Sequence, residues 1–377
     1  MHRVQILSGH LSSNSRVGMR QCSASAADPN DIVVVHGLRT AIGRAKRGSF
    51  KDTTPDELLS AVMSAVLKDV GLRPSLLGDV CVGNVLQPGA GALMARVAHF
   101  LSVESMSLRS PDNPGDLSPR LMDNEKTRDC IIPMGITSEN VAERFGITRE
   151  AQDRFALSSQ QKAAMAQKKG LFEQEITPVT TKFVDENGTE RTITVTKDDG
   201  IRPGTTFEGL AKLRPAFKET GSTTAGNASQ VSDGAAAVLI GRRSTVEKLG
   251  LPVFGVLRAS AVVGVPPDVM GIGPAYAIPQ ALNQAGLTVD DIDVFEINEA
   301  FASQAVYSVE KLGIPMEKVN PNGGAIALGH PLGCTGARQV VTLLNELKRR
   351  RKRGYGVVSM CIGTGMGAAA VFEYPGQ

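Results

Sequence analysis

The chain has 377 residues, of which 42% are apolar, so it is long enough to bury one large core or two medium ones. Its 41 basic and 38 acidic residues leave a net charge of only +3, which argues against nucleic acid or an anionic membrane as the main partner. The five cysteines include no CxxC pair, and no apolar run approaches the ~20 residues of a membrane span. The composition therefore predicts a globular protein of a reducing compartment that acts on a small molecule, without a metal site, disulfides or a transmembrane helix.

Residues 1–28 are typical of a presequence rather than of a folded element. They are rich in Ser and Arg and carry no acidic residue up to position 27. Arg3 and Val4, then five residues, then His10 and Leu11 form a pattern similar to an N-terminal peroxisomal import signal. The apolar members of this pattern would share one face of a short helix, and the partner would be the import receptor. This pattern predicts the peroxisomal matrix, and a plain disordered tail is the alternative.

The segment after the presequence alternates strand and helix patterns. Residues 31–36 form a β-branched run, and Thr54 and Pro55, followed by two acids, predict a helix that continues to residue 70. Gly71 ends that helix, and residues 79–85 read as a second buried strand. This order is typical of a strand-helix-strand unit in a parallel sheet, and thus of an α/β fold.

The same order returns late in the chain, where residues 253–265 and 291–297 read as strands and residues 279–285 as a helix. The strings LKDVGLRPSLLGDVCVGN and LNQAGLTVDDIDVFEIN share a helix that ends at Gly-Leu, a polar loop and an aspartate that enters a strand. The chain is therefore predicted to be internally duplicated. A Gly-rich turn at 320–336, a long helix to about residue 350 and a hairpin from residue 355 complete the second half.

A more polar region separates the two halves. It contains a helix pattern at 149–169 and a Thr-rich hairpin pattern at 177–197, so we expect an inserted loop domain rather than a linker. The expected division is a presequence at 1–28, an N-terminal domain at 31–111 and 232–250, a loop domain at 112–231 and a C-terminal domain at 251–377.

The duplication also indicates that a segment is missing from the first half. In the second half roughly sixty residues separate Asn298 from the final hairpin, whereas in the first half one helix at 90–101 leads directly from Asn84 to a strand at 103–107. About forty residues, or one strand, one turn and one helix, have no counterpart. The break falls between Ser102 and Val103, so the first half is expected to be incomplete.

Three motifs combine reactive side chains with close turns. Asn298 opens the string NEAF at a strand-to-helix junction, where open parallel sheets place catalytic groups. His330 lies in the Gly-rich turn of NPNGGAIALGHP, and Cys361 lies in a strand that breaks into alternating glycines, Gly363 among them. Each has an ordinary alternative when taken alone: a helix cap, a structural histidine and an inert core cysteine.

In this order the three motifs resemble the C-terminal half of the thiolase family. Further matching strings are GNVLQPG, VESMS, PMGITSENVA, IRPGTTFEGLAKLRPAF and TAGNASQVSDGAA, so the resemblance extends from about residue 31 to residue 374. With the import-like N-terminus, it favours the peroxisomal 3-ketoacyl-CoA branch. It implies a duplicated α-β-α-β-α layered fold with an inserted loop domain and a truncated first half. The implied activity is the acyltransferase reaction of fatty-acid β-oxidation, in which CoA cleaves a 3-ketoacyl-CoA.

The resemblance also implies roles for single residues. His330 would activate a nucleophilic cysteine, and Cys361 would exchange protons with acetyl-CoA and CoA. Asn298 would hold the water of one oxyanion hole, and the Gly363 N–H would belong to a second. CoA would be a substrate, with no permanently bound cofactor, and a homodimer is expected. The residues implied in CoA binding are Arg202, Phe217, Ala225, Ala228, Ser229 and Phe301, with Met134 and Met270 in the acyl pocket or, equally, in the core.

The nucleophile motif of the family, N-x-x-C-S-S-G, does not occur in this sequence. Cys81 is expected in a strand, Cys130 in the loop domain and Cys334 beyond the His330 turn, so none is expected at the helix N-terminus that the nucleophile needs. Loss of a nucleophile costs on the order of a millionfold in turnover. This chain is therefore expected to be inactive, and a non-catalytic CoA-binding or dimer-partner isoform is the alternative function.

Overall fold

A computed structural model describes residues 27–85, 103–107 and 123–376. Three predicted features lie outside these ranges: the import-signal residues Arg3, Val4, His10 and Leu11, the helix at 90–101, and Ser102. The strands are β1 (Ile32–Arg39), β2 (Gly43–Arg44), β3 (Val103–Glu104), β4 (Val179–Val184), β5 (Glu190–Val195), β6 (Ser232–Arg242), β7 (Gly255–Gly264), β8 (Val294–Ile297), β9 (Gly354–Ile362) and β10 (Met366–Tyr374).

The helices come from all parts of the described chain. They are α1 (Pro55–Asp69), α2 (Glu125–Asp129), α3 (Met134–Phe145), α4 (Arg149–Lys168), α5 (Phe207–Ala211), α6 (Arg243–Lys248), α7 (Gly273–Ala285), α8 (Ala302–Leu312), α9 (Ala325–Leu328) and α10 (Thr335–Arg349), with 3-10 turns at Pro74–Leu76 and Pro267–Ile272. None of the described helices is both long and apolar enough to cross a membrane.

One sheet connects the two halves in the order β2-β6-β1-β7-β10-β9-β8, and β3 also pairs with β6. The β8–β9 pair is parallel, and the other pairs of this sheet are antiparallel. The prediction of a parallel strand-helix-strand unit at the start of the chain was therefore wrong, because β1 has antiparallel neighbours on both sides. The parallel arrangement occurs in the second half, where β8 and β9 position the candidate site.

Residues 79–85 do not form the predicted buried strand. They lack regular secondary structure, Cys81 is exposed and Val85 is 59% exposed. A β-branched sequence forms a strand only where a neighbouring strand satisfies its backbone N–H and C=O groups. None of the described strands pairs with this segment.

Several elements form where the sequence predicts them. Thr54 is the N-cap of α1, Pro55 is its first residue, and the Glu57 carboxylate accepts the Thr54 backbone N–H at 2.9 Å. The Thr54 side chain in turn accepts the backbone N–H of Glu57, which completes a capping box. The two bonds satisfy backbone donors that the first helical turn leaves free. The predicted helix at 149–169 forms as α4, and the Thr-rich region forms the β4–β5 hairpin.

A large apolar core joins α3 and α4 to the C-terminal strands. Its fully buried members include Phe295 on β8 and Ile278 on α7. Helix α7 packs so closely on β10 that a Cβ on Gly273 would lie 2.6 Å from the Gly367 Cα. Only glycine permits this backbone approach, so both positions fix the helix on the sheet that carries the candidate site.

A fully buried ionic cluster ties β1 to the region between the halves. Arg39 donates to Glu175 at 2.7 Å and to both carboxylate oxygens of Asp198 at 2.8 and 3.0 Å. Asp198 also accepts the Ile42 N–H at 2.8 Å. Because a buried charge is tolerated only when it is paired, these bonds fix residues 175–198 against the first strand.

Candidate active site

Two predicted site residues, Asn298 and His330, meet at the carboxyl end of β8. Asn298 follows that strand, and its N–H donates to the Ser359 carbonyl at 2.9 Å, which sets it beside the end of β9. His330 lies in the turn between α9 and α10, with Nε2 at 3.2 Å from Nδ2 of Asn298. The end of β8 and the turn between α9 and α10 therefore bring the NEAF and GHP motifs into contact.

The other nitrogen of His330 contacts a residue that the sequence analysis missed. Nδ1 lies 2.6 Å from the Thr335 Oγ1, and this hydroxyl donates to the Pro331 carbonyl at 3.1 Å. A hydroxyl has one proton, so in the contact with His330 it acts as the acceptor and Nδ1 carries the hydrogen. Nε2 is then an unprotonated acceptor that faces Asn298, which is the tautomer a general base requires.

Burial determines the charge of this histidine. Desolvation, with repulsion by Arg338 as a smaller cause, lowers the pKa of His330 to about 4. Arg338 itself pairs with buried Glu296 at 2.9 Å, and desolvation nevertheless raises the pKa of Glu296 to about 7. His330 is therefore neutral at pH 7 and offers a lone pair at Nε2.

Cys361 lies near the end of β9, where the strand turns into β10. Its Sγ donates to the Gln304 Oε1 at 3.4 Å, and burial raises the pKa of the thiol to about 11. A thiol with this pKa stays protonated and suits proton donation better than nucleophilic attack. Gly363 follows in the same turn, where Thr364 adopts a left-handed φ of 70°.

Asn298 also presents an unsatisfied atom. It is 1% exposed, and its buried Oδ1 has no hydrogen-bond partner among the described residues. An unpaired buried polar atom costs about 1–3 kcal/mol, so such atoms favour a site that receives a water or a ligand. The arrangement thus offers a neutral base in contact with Asn298, and a protonated thiol two residues along β9 from Ser359, the acceptor of the Asn298 N–H.

The residues predicted to bind CoA lie partly against this centre. Ala228 pairs with Phe301 in an isolated bridge, and the Ser229 N–H donates to the Ala300 carbonyl at 2.9 Å. The rings of Phe217 and Phe301 meet edge to face at 6.1 Å, with Phe217 45% exposed. These contacts join the 225–229 string to the NEAF motif.

The remaining predicted ligand contacts are more scattered. Ala225 is exposed, Met134 is 40% exposed at the first residue of α3, and Met270 is 7% exposed in the 3-10 turn Pro267–Ile272. Arg202 lies in an exposed loop, where its backbone N–H donates to the Gln160 Oε1 at 2.8 Å. Their roles stay predictions.

The other described cysteines differ in their surroundings. Cys334 is the N-cap of α10, beyond the His330 turn, and this is not the helix that the nucleophile motif would open. The Cys334 side chain is fully buried. Cys130 is the C-cap of α2, with Sγ 3.9 Å from the Thr364 carbonyl, and Cys81 is exposed on an irregular segment. No group of His, Cys, Asp or Glu in the described part of the chain is arranged to hold a metal ion.

Comparison with known families covers nearly the whole folded chain. The thiolase N-terminal domain matches residues 32–102 and 100–244, and the thiolase C-terminal domain matches residues 251–374. The two N-terminal pieces meet at 100–102, where the sequence predicts the break. The missing segment is thus located independently by the family comparison.

Two mammalian relatives are named as peroxisomal 3-ketoacyl-CoA thiolases, thiolase B of Rattus norvegicus and the thiolase of Homo sapiens. Each is 66% identical to this chain, with 100% of both sequences covered. The alignments extend over 424 positions against 377 residues here, a difference of 47. The relatives therefore contain internal sequence that this chain lacks.

Solved structures support the same assignment. The dimeric peroxisomal thiolase of Saccharomyces cerevisiae is 47% identical, with a TM-score of 0.83, and the match covers 92% of this chain and 98% of that one. Human mitochondrial 3-ketoacyl-CoA thiolase is 34% identical, with a TM-score of 0.80 and coverage of 92% and 100%. By sequence, fold and the order of its motifs, this chain belongs to the thiolase family.

Proposed function

We propose that this site performs the proton transfers of thiolytic 3-ketoacyl-CoA cleavage, the acetyl-CoA C-acyltransferase reaction of fatty-acid β-oxidation. The named relatives carry this activity in their names. The observation that carries the proposal is the 3.2 Å contact of the neutral His330 Nε2 with Asn298, whose own N–H donates to Ser359, two residues before Cys361. We further propose that this chain alone binds the CoA ester without completing the reaction.

The residues fit the separate steps of the reaction. Thiolytic cleavage needs a thiolate that attacks the keto carbon, a proton for the departing acetyl-CoA enolate, and a base that activates the incoming CoA thiol. His330, with its pKa lowered to about 4 by burial, would accept the proton of the attacking thiol. Cys361, with its pKa raised to about 11, would protonate the enolate and later receive the CoA proton. Asn298, through a bound water, and the Gly363 N–H would stabilise the developing oxyanions.

The chain lacks the attacking thiol. The motif N-x-x-C-S-S-G is absent from the sequence, and Cys334 is fully buried. Cleavage without a nucleophile loses on the order of a millionfold in rate. A non-catalytic CoA-binding or dimer-partner role is therefore the second candidate, and the Phe217–Phe301 contact beside the 225–229 string favours CoA binding.

The relatives also bear on location and assembly. Homologues from rat, human, Arabidopsis thaliana and Yarrowia lipolytica are all named peroxisomal, and this chain is peroxisomal on that basis. The import receptor would bind the Arg3, Val4, His10 and Leu11 pattern. The yeast structure is named dimeric, which supports a homodimer here.

Two measurements on the purified full chain test this function. CoA-dependent cleavage of acetoacetyl-CoA is expected to be no faster with the chain than with its Cys361→Ala variant. Calorimetry is expected to detect CoA binding that weakens by about tenfold in Phe217→Ala, because the ring contact with Phe301 is lost. Met165→Ala, which truncates an apolar side chain 52% exposed on α4, is the control and should bind like the wild type.

The outcomes separate the two parts of the proposal. Turnover that disappears in Cys361→Ala would refute the loss of activity and confirm the proton-transfer role. Absence of CoA binding by the wild-type chain would refute the CoA-binding function.

A further inference from the structure

The turn that follows β2 concentrates positive charge in a fixed conformation. It carries Arg44, Lys46 and Arg47 and is closed by the Gly48 N–H, which donates to the Arg44 carbonyl at 2.7 Å. Lys46 has a left-handed φ of 65°, which costs a residue with a Cβ about 1 kcal/mol. Its N–H donates to the Ser107 Oγ at 2.7 Å, and this contact helps to hold the strained residue.

A second arginine-bearing loop is attached to this turn. Asp199 accepts the Ser49 N–H at 2.8 Å and the Ser49 hydroxyl at 3.0 Å, so the loop that leads to Arg202 is bonded to the end of the turn. Partial burial, followed by repulsion from Arg44 and Arg47, lowers the pKa of Arg202. The three guanidinium groups are thus near enough to interact.

The positive charge of this cluster is only partly offset within the described part of the chain. Of the two acids of the loop, Asp198 pairs with Arg39, whereas Asp199 bonds to the neutral Ser49 and so leaves one negative charge beside the basic side chains. Arg44 Nε is buried and has no hydrogen-bond partner among the described residues. Like charges held together with a free buried donor form a site that an anion would stabilise.

The cluster adjoins the strings predicted to bind CoA. Arg44 pairs with Ser232, and the Ser232 hydroxyl donates to the Gln230 carbonyl at 2.7 Å. The same carbonyl accepts the His330 N–H at 3.1 Å, and Gln230 directly follows Ser229. Arg44 is therefore connected through Ser232 and Gln230 to the base of the candidate active site.

We propose that Arg44, Arg47 and Arg202 form an anion site for the phosphate groups at the nucleotide end of CoA. The proposal rests on the CoA binding proposed above and adds two residues of the N-terminal half to those of the region between the halves. Guanidinium groups stay charged at all relevant pH values and bind phosphate oxygens through paired N–H donors. A phosphate ester would supply both the missing counter-charge and an acceptor for Arg44 Nε.

Calorimetric titration of the full chain with CoA, dephospho-CoA, pantetheine and adenosine 3′,5′-bisphosphate tests this site. Arg44→Gln and Arg47→Gln are each expected to weaken CoA and bisphosphate binding by about fivefold to tenfold and to leave pantetheine binding unchanged. Arg73→Gln is the matched control, since it removes an exposed arginine that lies outside the turn. Arg47 is exposed, so its substitution leaves the core intact and keeps the test valid if Arg44→Gln misfolds.

Each outcome bears on a separate claim. If the arginine variants also bind dephospho-CoA more weakly than the wild type does, the site binds the diphosphate. If the variants and the wild type bind dephospho-CoA equally well, the site binds the 3′-phosphate. Equal CoA affinity in the wild type and both turn variants would overturn the anion site while CoA binding stands. Bisphosphate binding that depends on Arg47, without any CoA binding, would keep the anion site and refute the proposed function; binding of neither ligand would overturn both.

Discussion

Glu296 is buried and His330 is half-buried near Arg338, and their titrations affect stability in opposite directions. The pKa of His330 is about 4 in the folded chain against an ordinary 6.5, so the unfolded chain binds more protons between these values. The free energy of unfolding therefore falls as the pH drops through this window. The pKa of Glu296 is raised from 4.5 to about 7, so its contribution is lost as the pH rises towards 7.

Because the two effects overlap, the His330 contribution is visible only as a difference between variants. We expect the wild type to lose about 1.4 kcal/mol of unfolding free energy per pH unit relative to His330→Asn, as the pH falls from 6.5 towards 4. Asparagine cannot titrate, whereas the Glu296 contribution is common to both proteins and cancels. Urea unfolding of both proteins across this range is the measurement, and a constant difference would contradict a His330 that stays neutral in the folded chain.

The motifs predicted which reactive residues converge, but not which side chains orient them. Asn298 and His330 meet as expected because each motif is local and sits at a strand end or a Gly-rich turn. Thr335 was not predicted, because its hydroxyl reaches back to His330 only when α10 begins at that residue. A Thr five residues after a turn histidine, at a predicted helix start, is the signal that would have identified it.

At the scale of elements, strand β3 holds the chain immediately after the sequence break. Its residues pair with Gly234 and Ala235 on β6. The Asp233 carboxylate then accepts the N–H groups of Met106 at 2.7 Å and Ser107 at 2.9 Å, as well as the Ser107 hydroxyl. One side chain thereby anchors the segment on which the strained turn at Lys46 depends.

Asp233→Asn is expected to release this segment. The amide group replaces one acceptor with a donor and removes charge-assisted bonds, each of which contributes about 1.5–3 kcal/mol. Hydrogen exchange of the Met106 and Ser107 amides should accelerate, while exchange in α10 stays unchanged. Asp290→Asn, which removes an exposed carboxylate, is the control, and equal protection in both variants would contradict the anchoring role.

Two of the elements that the sequence predicted correctly have hydrogen bonds that are local. Helix α1, with its capping Thr54, and the β4–β5 hairpin need no distant partner. The strand predicted at 79–85 failed because its pattern describes a side-chain preference and not the neighbouring strand that would pair with it. The prediction of parallel strands in the first half failed for the same reason, since the direction of β1 relative to its neighbours is set by non-local pairing.

At the scale of the whole molecule, one face of the C-terminal sheet is only partly covered. Val262, Ala368 and Met360 lie opposite one another on β7, β10 and β9, so they share one face. Val262 is 66% exposed, and the other two are half-buried. Ala261 and Ala369, on the opposite face, are buried in the core that contains α7. The mammalian alignments have 47 positions more than this chain, so a sheet of the same fold has fewer residues here to cover it.

An apolar face of this kind promotes self-association and binds hydrophobic dyes. We expect the purified chain to bind anilinonaphthalene sulfonate and to form larger species as its concentration rises. Val262→Lys should reduce both effects, because a charged side chain in the middle of the face makes its burial against another molecule costly. Light scattering with dye fluorescence measures the change, and Met165→Lys is the control because Met165 is 52% exposed on a helix and lies outside the sheet. Equal reductions in the two variants would locate the association elsewhere, whereas a reduction confined to Val262→Lys would tie it to the face of β7, β10 and β9.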